Sequence, residues 1–226
     1  GSFQFLDSYA TTTGDVSLTF GTTTFPYAAL TVGGSFANSA VFTAGTSTLV
    51  MNGSTAGKTV SLGNSSAYNM TVNGASGGFT ISSNATSTNN FNLTAVTTFV
   101  QSSGTTLAVG GVFTNNVGGA PTTWTGTTLS LYGTSANYSI NTKAAGGDVY
   151  NIIRLAANAN IRMWNSSVAT TQLDPLSSIY SQNNAASSGS LYIYGNYARS
   201  SGTDYWSYAT DFDGVALGGS SRQANV

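Results

Sequence analysis

The sequence predicts an all-β, repeat-built fold, a β-solenoid of the right-handed parallel β-helix type made of short strands. Three observations carry this. Runs of alternating apolar and polar residues recur every eight to twelve residues between Gly, Asn and Ser punctuation, the pattern of a solenoid, barrel or sandwich. The phrase L-x-[VI]-x-G-x-[FY] occurs three times, from Leu30 to Phe36, Leu107 to Phe113 and Leu191 to Tyr197, with starts 77 and 84 residues apart. Recurrence of one strand-and-glycine phrase points to stacked units. Only 6% of residues are charged, against roughly 25% in ordinary soluble domains. Short uncharged Ser, Thr, Asn and Gly stack on like neighbours without repulsion. A β-sandwich or pilin-like jelly roll is the alternative, since alternation alone does not separate the two.

Residues 1–29 read as lead-in strands, with Phe3 and Phe5 and then Val16, Leu18 and Phe20 alternating at a period of two. They form a candidate inter-subunit strand. Residues 30–190 read as two β-repeat units. In the first, Leu30-Thr31-Val32 turns at Gly33-Gly34 into Phe36, and short strands follow at Thr48-Leu49-Val50-Met51, Thr59-Val60-Ser61-Leu62, Tyr68-Asn69-Met70-Thr71-Val72 and Phe79-Thr80-Ile81. In the second, Phe113-Thr114-Asn115 matches Phe36-Ala37-Asn38, and Thr128-Leu129-Ser130-Leu131 matches Thr48-Leu49-Val50-Met51. The glycine pairs Gly33-Gly34 and Gly110-Gly111 follow strands with no helix after them, so they read as tight corners rather than phosphate loops. Residues 154–164 are the best helical candidate, yet Ile161-Arg162-Met163-Trp164 and the match to the first unit favour strand. Residues 191–226 read as a truncated third repeat or cap, richer in Tyr and charge.

Composition excludes several classes of function. A net charge of -1 leaves no electrostatic footprint for nucleic acid. There is no Cys and no His, which removes disulfides, thiolate metal sites and the commonest general base. No apolar run is long enough to span a bilayer. Gly1 to Phe5 lack the basic and apolar regions of a signal peptide, so an exported chain has lost one or is a segment of something longer.

Polysaccharide-cleaving chemistry on a β-helix needs clustered carboxylates with a basic partner. The available groups are Asp148, Asp174, Asp204, Asp211 and Asp213 with Arg154, Arg162 and Arg199. Only Asp204, Asp211 and Asp213 are near neighbours, and all read more simply as turn residues. The chain is therefore expected not to be an enzyme and to need no cofactor. Asp211 and Asp213 in Asp211-Phe212-Asp213-Gly214 are weak calcium candidates, because alternating Asp before Gly supplies oxygen ligands but the rest of a calcium loop is missing. Glycosylation triplets begin at Asn52, Asn64, Asn69, Asn84, Asn92, Asn137 and Asn165. A chain this rich in Asn, Ser and Thr yields nearly as many by chance. Tyr192, Tyr194 and Tyr208 are candidate stacking contacts for surface glycans or a partner.

Three phrases carry a resemblance: Leu30 to Asn38 (LTVGGSFAN), Phe42 to Thr46 (FTAGT) and Tyr68 to Val72 (YNMTV). Together they resemble the repeat unit of large bacterial cell-surface β-solenoid, adhesin-like proteins, over roughly residues 28–217. The resemblance implies a secreted, surface-attached, repetitive fold with an adhesive or structural role, and it supplies no catalytic residues.

The expected function is that of an extracellular structural subunit which self-assembles head to tail into a fibre by β-strand pairing. Phe3, Phe5, Val16, Leu18 and Phe20 are the assembly residues, and the partner is the chain itself. The alternative is a monomeric adhesin or carbohydrate-binding module.

Overall fold

The computed structural model describes residues 1–119, 121–133, 138–142, 148–155, 160–162, 168–175, 180–182, 191–197 and 205–207. Among these, every regular element is a strand, and every strand pair is parallel. Sandwiches and jelly rolls are built from antiparallel hairpins, so the fold is a β-solenoid and the sandwich alternative falls. The segment 154–164 lies within this pattern: Val149–Leu155 and Asn160–Arg162 are both strands.

The chain winds through three faces per coil. The first face stacks Tyr9–Thr12, Ala29–Val32, Thr48–Met51, residues 69–72, residues 91–93 and Phe113–Asn115, and then Tyr138–Thr142, Asn160–Arg162, Tyr180–Gln182 and Tyr205–Ser207. The second face stacks Val16–Leu18, Phe36–Asn38, Lys58–Ser61, residues 79–81, residues 99–101 and Thr122–Thr123. The third face, which precedes the first in each coil, begins with Ser2–Gln4, Thr22–Thr24 and Val41–Thr43. It resumes with Ala85–Ser87, Thr106–Val109, Thr128–Leu131, Val149–Leu155, Val168–Pro175 and Leu191–Tyr197. Between those two runs, Phe42 N–H donates to Ser65 Oγ and Ala67 bridges Ser87.

Coil length follows from the register. Tyr9 pairs Ala29, Ala29 pairs Thr48, Thr48 pairs Asn69 and Phe91 pairs Phe113. One turn therefore takes 19 to 22 residues over this stretch, lengthening where Phe113 pairs Ile140. The 77- and 84-residue spacings of the repeated phrase thus span close to four coils each. The phrase also changes face. Leu30 and Val32 lie on the first face with Phe36 on the second, whereas Leu107 and Val109 lie on the third with Phe113 on the first. What recurs is a way of turning a corner.

Both copies turn that corner the same way. A Cβ at Gly33 would meet Thr13 O at 2.9 Å, and one at Gly111 would meet the Asn89 carbonyl carbon at 2.9 Å. The glycines let one coil pass close over the backbone of the coil beneath. Neither Gly33-Gly34 nor Gly110-Gly111 has positive φ, so close approach is the constraint. Each copy then ends on a buried Asn. Asn38 Oδ1 accepts from Ala40 N–H, and Asn115 Oδ1 accepts from Val117 and Gly118 N–H. A buried polar side chain there satisfies the backbone of the next bend.

Alternation puts one set of side chains inside each coil, and stacking aligns them into columns. One column runs Ala10, Leu30, Leu49, Met70, Phe91, Phe113. Another runs Val16, Phe36, Val60, Ile81, Gln101. Aromatic rings fill two zones of this interior. Phe25 stacks on Phe42 at 4.5 Å with Phe36 edge-on to both, and further along Phe91, Phe99, Phe113, Trp124 and Tyr150 form a second cluster.

Candidate functional site

Residues 2–18 form the first described coil. Among the described residues Ser2–Gln4 pairs with Thr22–Thr24, Tyr9–Thr12 with Ala29–Val32 and Val16–Leu18 with Phe36–Asn38, each on one side. Each therefore turns a row of backbone N–H and C=O groups away from the described stack, a template for further pairing. Its apolar side chains are the least covered of their columns. Phe5, Val16 and Leu18 are half-buried against the core, and Phe3 is 59% exposed, its ring edge-on to Phe5 at 4.9 Å. In the next coil Phe25, Phe36 and Leu30 are buried. The contrast has one cause: interior residues are covered from both sides, and those of the first coil, among the described residues, from one.

Four of the five expected assembly residues, Phe3, Phe5, Val16 and Leu18, thus lie in the first coil. Phe20 does not continue the Val16-Leu18 alternation. The strand stops at Leu18, and Phe20 sits at the following corner, 85% exposed. Gly21, at a φ of 78°, turns the chain there into Thr22–Thr24. Leu6, Tyr9 and Tyr27 are further large exposed side chains near this end, which sequence patterning did not single out.

The other candidate residues are dispersed. Tyr192 and Tyr194 lie on Leu191–Tyr197. Tyr208, Asp204, Asp211, Asp213, Arg199, Asn137 and Asn165 lie outside the described residues. Asn52 and Asn64 are exposed between strands. Asn84 is exposed, with its Oδ1 accepting from Thr106 N–H at 2.9 Å. Asn69 is half-buried, and its Oδ1 accepts from Asn89 Nδ2 and Asn90 N–H. Asn92 is half-buried within a strand. Asn52, Asn64 and Asn84 are therefore the exposed sites of the described five. Among the described residues no three His, Cys, Asp or Glu side chains come together as a metal site.

The carboxylates are also apart in role. Asp174 pairs with Arg154 at 2.9 Å across neighbouring third-face strands, in a partly exposed place. Such a pair contributes little to stability. Asp148 is different. Its Oδ2 accepts from Asn115 Nδ2 at 2.6 Å, and its Oδ1 accepts from Gly119 N–H at 3.1 Å and from the Thr122 hydroxyl. Asn115 also donates to the Tyr150 hydroxyl at 3.2 Å, and the Trp124 ring packs on Tyr150 with centroids 4.9 Å apart. This node ties Asn115, Gly119 and Thr122 to the following coil. Burial pushes the Asp148 carboxyl above the ordinary carboxylate range, against the opposing pull of Thr122, Asn115, Gly119 and Trp124. Burial and the Asp148 charge keep the Tyr150 phenol protonated far above its usual range.

A raised native carboxyl pKa means that the folded chain binds more protons than the unfolded one just above the ordinary carboxylate range. Stability contributed by Asp148 therefore grows as pH falls through that window and shrinks as it rises. Asp148→Asn turns an amide toward Asn115 Nδ2 or toward Gly119 and Thr122, opposing donor to donor, at an expected cost of about 1–2 kcal/mol. The advantage of the native chain over Asp148→Asn should be larger at pH 4.5 than at pH 7 in urea titrations. An advantage that shrinks on acidification would contradict the buried placement of this carboxyl.

No catalytic arrangement comes together among the described residues, and the first coil presents strand edges that pair on one side among them. Comparison of the chain with protein-family models, with curated proteins and with solved structures finds no match.

Proposed function

We propose that this chain is a structural subunit of an extracellular, cell-surface fibre, and that copies add end to end by continuing the strand ladders. The observation that carries this is the first coil, whose three parallel strands each pair on one side among the described residues and whose Phe3, Phe5, Val16 and Leu18 are only partly covered. A second copy supplies both missing components at once, backbone partners and apolar cover. The near absence of charge supports the same reading, because coils of low net charge approach without repulsion. The repeated surface-protein phrases favour display outside the cell.

The discriminating change keeps the coil and spoils the junction. Removing the first coil outright would only turn the next one into a new open edge. Phe3→Lys with Val16→Lys instead places two charges on inward positions of the end coil. In the free chain the ammonium groups reach water over the open edge. In a junction they would be buried and unpaired, at a cost of several kcal/mol. Sedimentable polymer and filaments in negative stain are expected from the native chain and are expected to be lost in the double variant, with the melting temperature shifted by only a few degrees. Filaments undiminished in the double variant would sink the proposal.

A further inference from the structure

The three faces are not equally continuous in the middle of the stack. On the first face Thr48–Met51 pairs with residues 69–72, and residues 70–72 pair with 91–93. On the second, Phe36 and Ala37 pair with Val60 and Ser61, and residues 58–60 with 79–81. On the third face the ladder stops at Val41–Thr43 and resumes at Ala85–Ser87, in two separate sheets. The coil between them crosses this face through residues 62–68, Leu62-Gly63-Asn64-Ser65-Ser66-Ala67-Tyr68, whose Gly, Asn and Ser residues spell a turn. Gly63 has a φ of 58°, and Ser65 N–H folds back onto the Leu62 carbonyl at 3.1 Å. A left-handed residue and a local turn take the backbone out of the extended form that a ladder needs.

The two sides of this segment are tied down differently. Toward the following coil, Ala67 N–H donates to the Thr86 carbonyl at 3.0 Å and Thr88 N–H donates to the Ala67 carbonyl at 2.8 Å. Toward the preceding coil, no backbone-to-backbone bond joins residues 40–45 to residues 62–67 among the described residues. Side chains stand in their place. Phe42 N–H donates to Ser65 Oγ at 3.0 Å, and Asn38 Nδ2 donates to the Leu62 carbonyl at 2.8 Å and to Ser65 Oγ at 3.4 Å. Ring packing divides at the same row. Phe42 stacks on Phe25 and meets Phe36 edge-on, and both partners belong to the coil before it. Among the described residues no ring pair joins this zone to the one around Phe91 and Phe113.

We infer that residues 40–45 and 62–67 form a joint in the solenoid, at which the third face parts while the first and second faces keep their ladders. The stack then bends about those two faces instead of separating, and the Ser65 hydroxyl is the pin that holds the joint shut. Openings of this local kind occur where few backbone bonds and few shared contacts have to be given up. The closed form is the resting one, because Phe42 and Leu62 are buried beside the row and opening wets them. The joint lies inside the stack and holds whether or not copies add end to end.

Hydrogen exchange of the whole chain, quenched and read amide by amide by mass spectrometry, tests this. Phe25 N–H donates to the Thr43 carbonyl at 3.0 Å one row before the joint, and Ala67 N–H to the Thr86 carbonyl one row after it, so these two amides are the references. After correction for intrinsic rates, Phe42 is expected to exchange at least about tenfold faster than either. Opening that spread inward from the first coil would free Phe25 before Phe42, so the order of release separates a joint from fraying. Ser65→Ala should speed Phe42 by about a further fivefold, the worth of one hydrogen bond, and leave Phe25 and Ala67 unchanged. Ser65→Thr keeps the hydroxyl and should exchange like the native chain. Phe42 protected as well as its references, or released with or after Phe25, would overturn the joint. A Ser65→Ala variant that leaves Phe42 unchanged, or speeds all three amides alike, would overturn the role of Ser65 as its pin.

Discussion

Phe113→Ala is expected to destabilise the chain by about 4 kcal/mol, measured as the shift of the denaturant midpoint multiplied by its slope. Phe113 is fully buried and sits at the centre of the second aromatic zone. It stacks face to face on Phe91 at 5.7 Å with an interplanar angle of 10°. It also meets Trp124 and Tyr150 edge-on, each at 5.8 Å. These neighbours come from the coils before and after as well as from its own. Truncation therefore leaves a void shared by three coils, each held in place by its backbone ladder and slow to collapse inward. Phe113→Leu keeps most of the volume and should cost about 1.5 kcal/mol or less. A loss below 1 kcal/mol in Phe113→Ala would mean that the rings are not packed on one another as described.

Gly53→Ala should cost about 3 kcal/mol, the upper part of the range for overpacking, for a change of one methyl group. Gly53 is buried at the corner between the first and second faces, directly over Gly33. A Cβ there would overlap the Gly33 carbonyl oxygen, a backbone atom with no rotamer to escape into. In the next coil Gly74 and Gly77 stand in the same relation to the Gly53 carbonyl, so relief in one direction crowds the other. Gly14 provides the contrast. It lies at the corresponding corner of the first coil, and a Cβ added there meets nothing closer than 3.9 Å. Gly14→Ala should be neutral or stabilising by up to about 1 kcal/mol, through a smaller unfolded ensemble. Equal melting temperatures for the two variants would count against the stacked corner.

Much of this architecture was legible in the sequence because strands and corners are local. Alternation marked the strands, and Gly33-Gly34 and Gly110-Gly111 marked bends. The coil spacing of about twenty residues stayed hidden for a physical reason. A column requires apolar volume, not identity, and Leu30, Leu49, Met70, Phe91 and Phe113 satisfy it with three residue types. Corners with close backbone contact accept glycine and little else, so they are spelled alike wherever they occur. The eye therefore finds the phrase at intervals of several coils, and on different faces. The apolar positions of the first coil were legible in Phe3, Phe5, Val16 and Leu18. Phe20 obeys the same alternation, but no pattern in the side chains announces that the strand stops at Leu18. The node around Asp148 was not legible at all, since Asn115 and Asp148 lie 33 residues apart and meet only through coil stacking.

The direction of the hydrogen bonds gives this chain a particular mechanics. Strands run around the coil, so the bonds between them lie along the long axis, in line with any pull applied between the two ends. Tension loads them one row at a time, as in opening a zipper, and not many at once in shear. Each coil that lets go frees about twenty residues, or roughly 65–70 Å of chain at full extension, from a layer that occupied about 4.8 Å of length. A filament joined by the same ladders would lengthen more than tenfold over every coil it surrenders. Its extensibility would then be set by coil length, and its breaking load by the weakest single row.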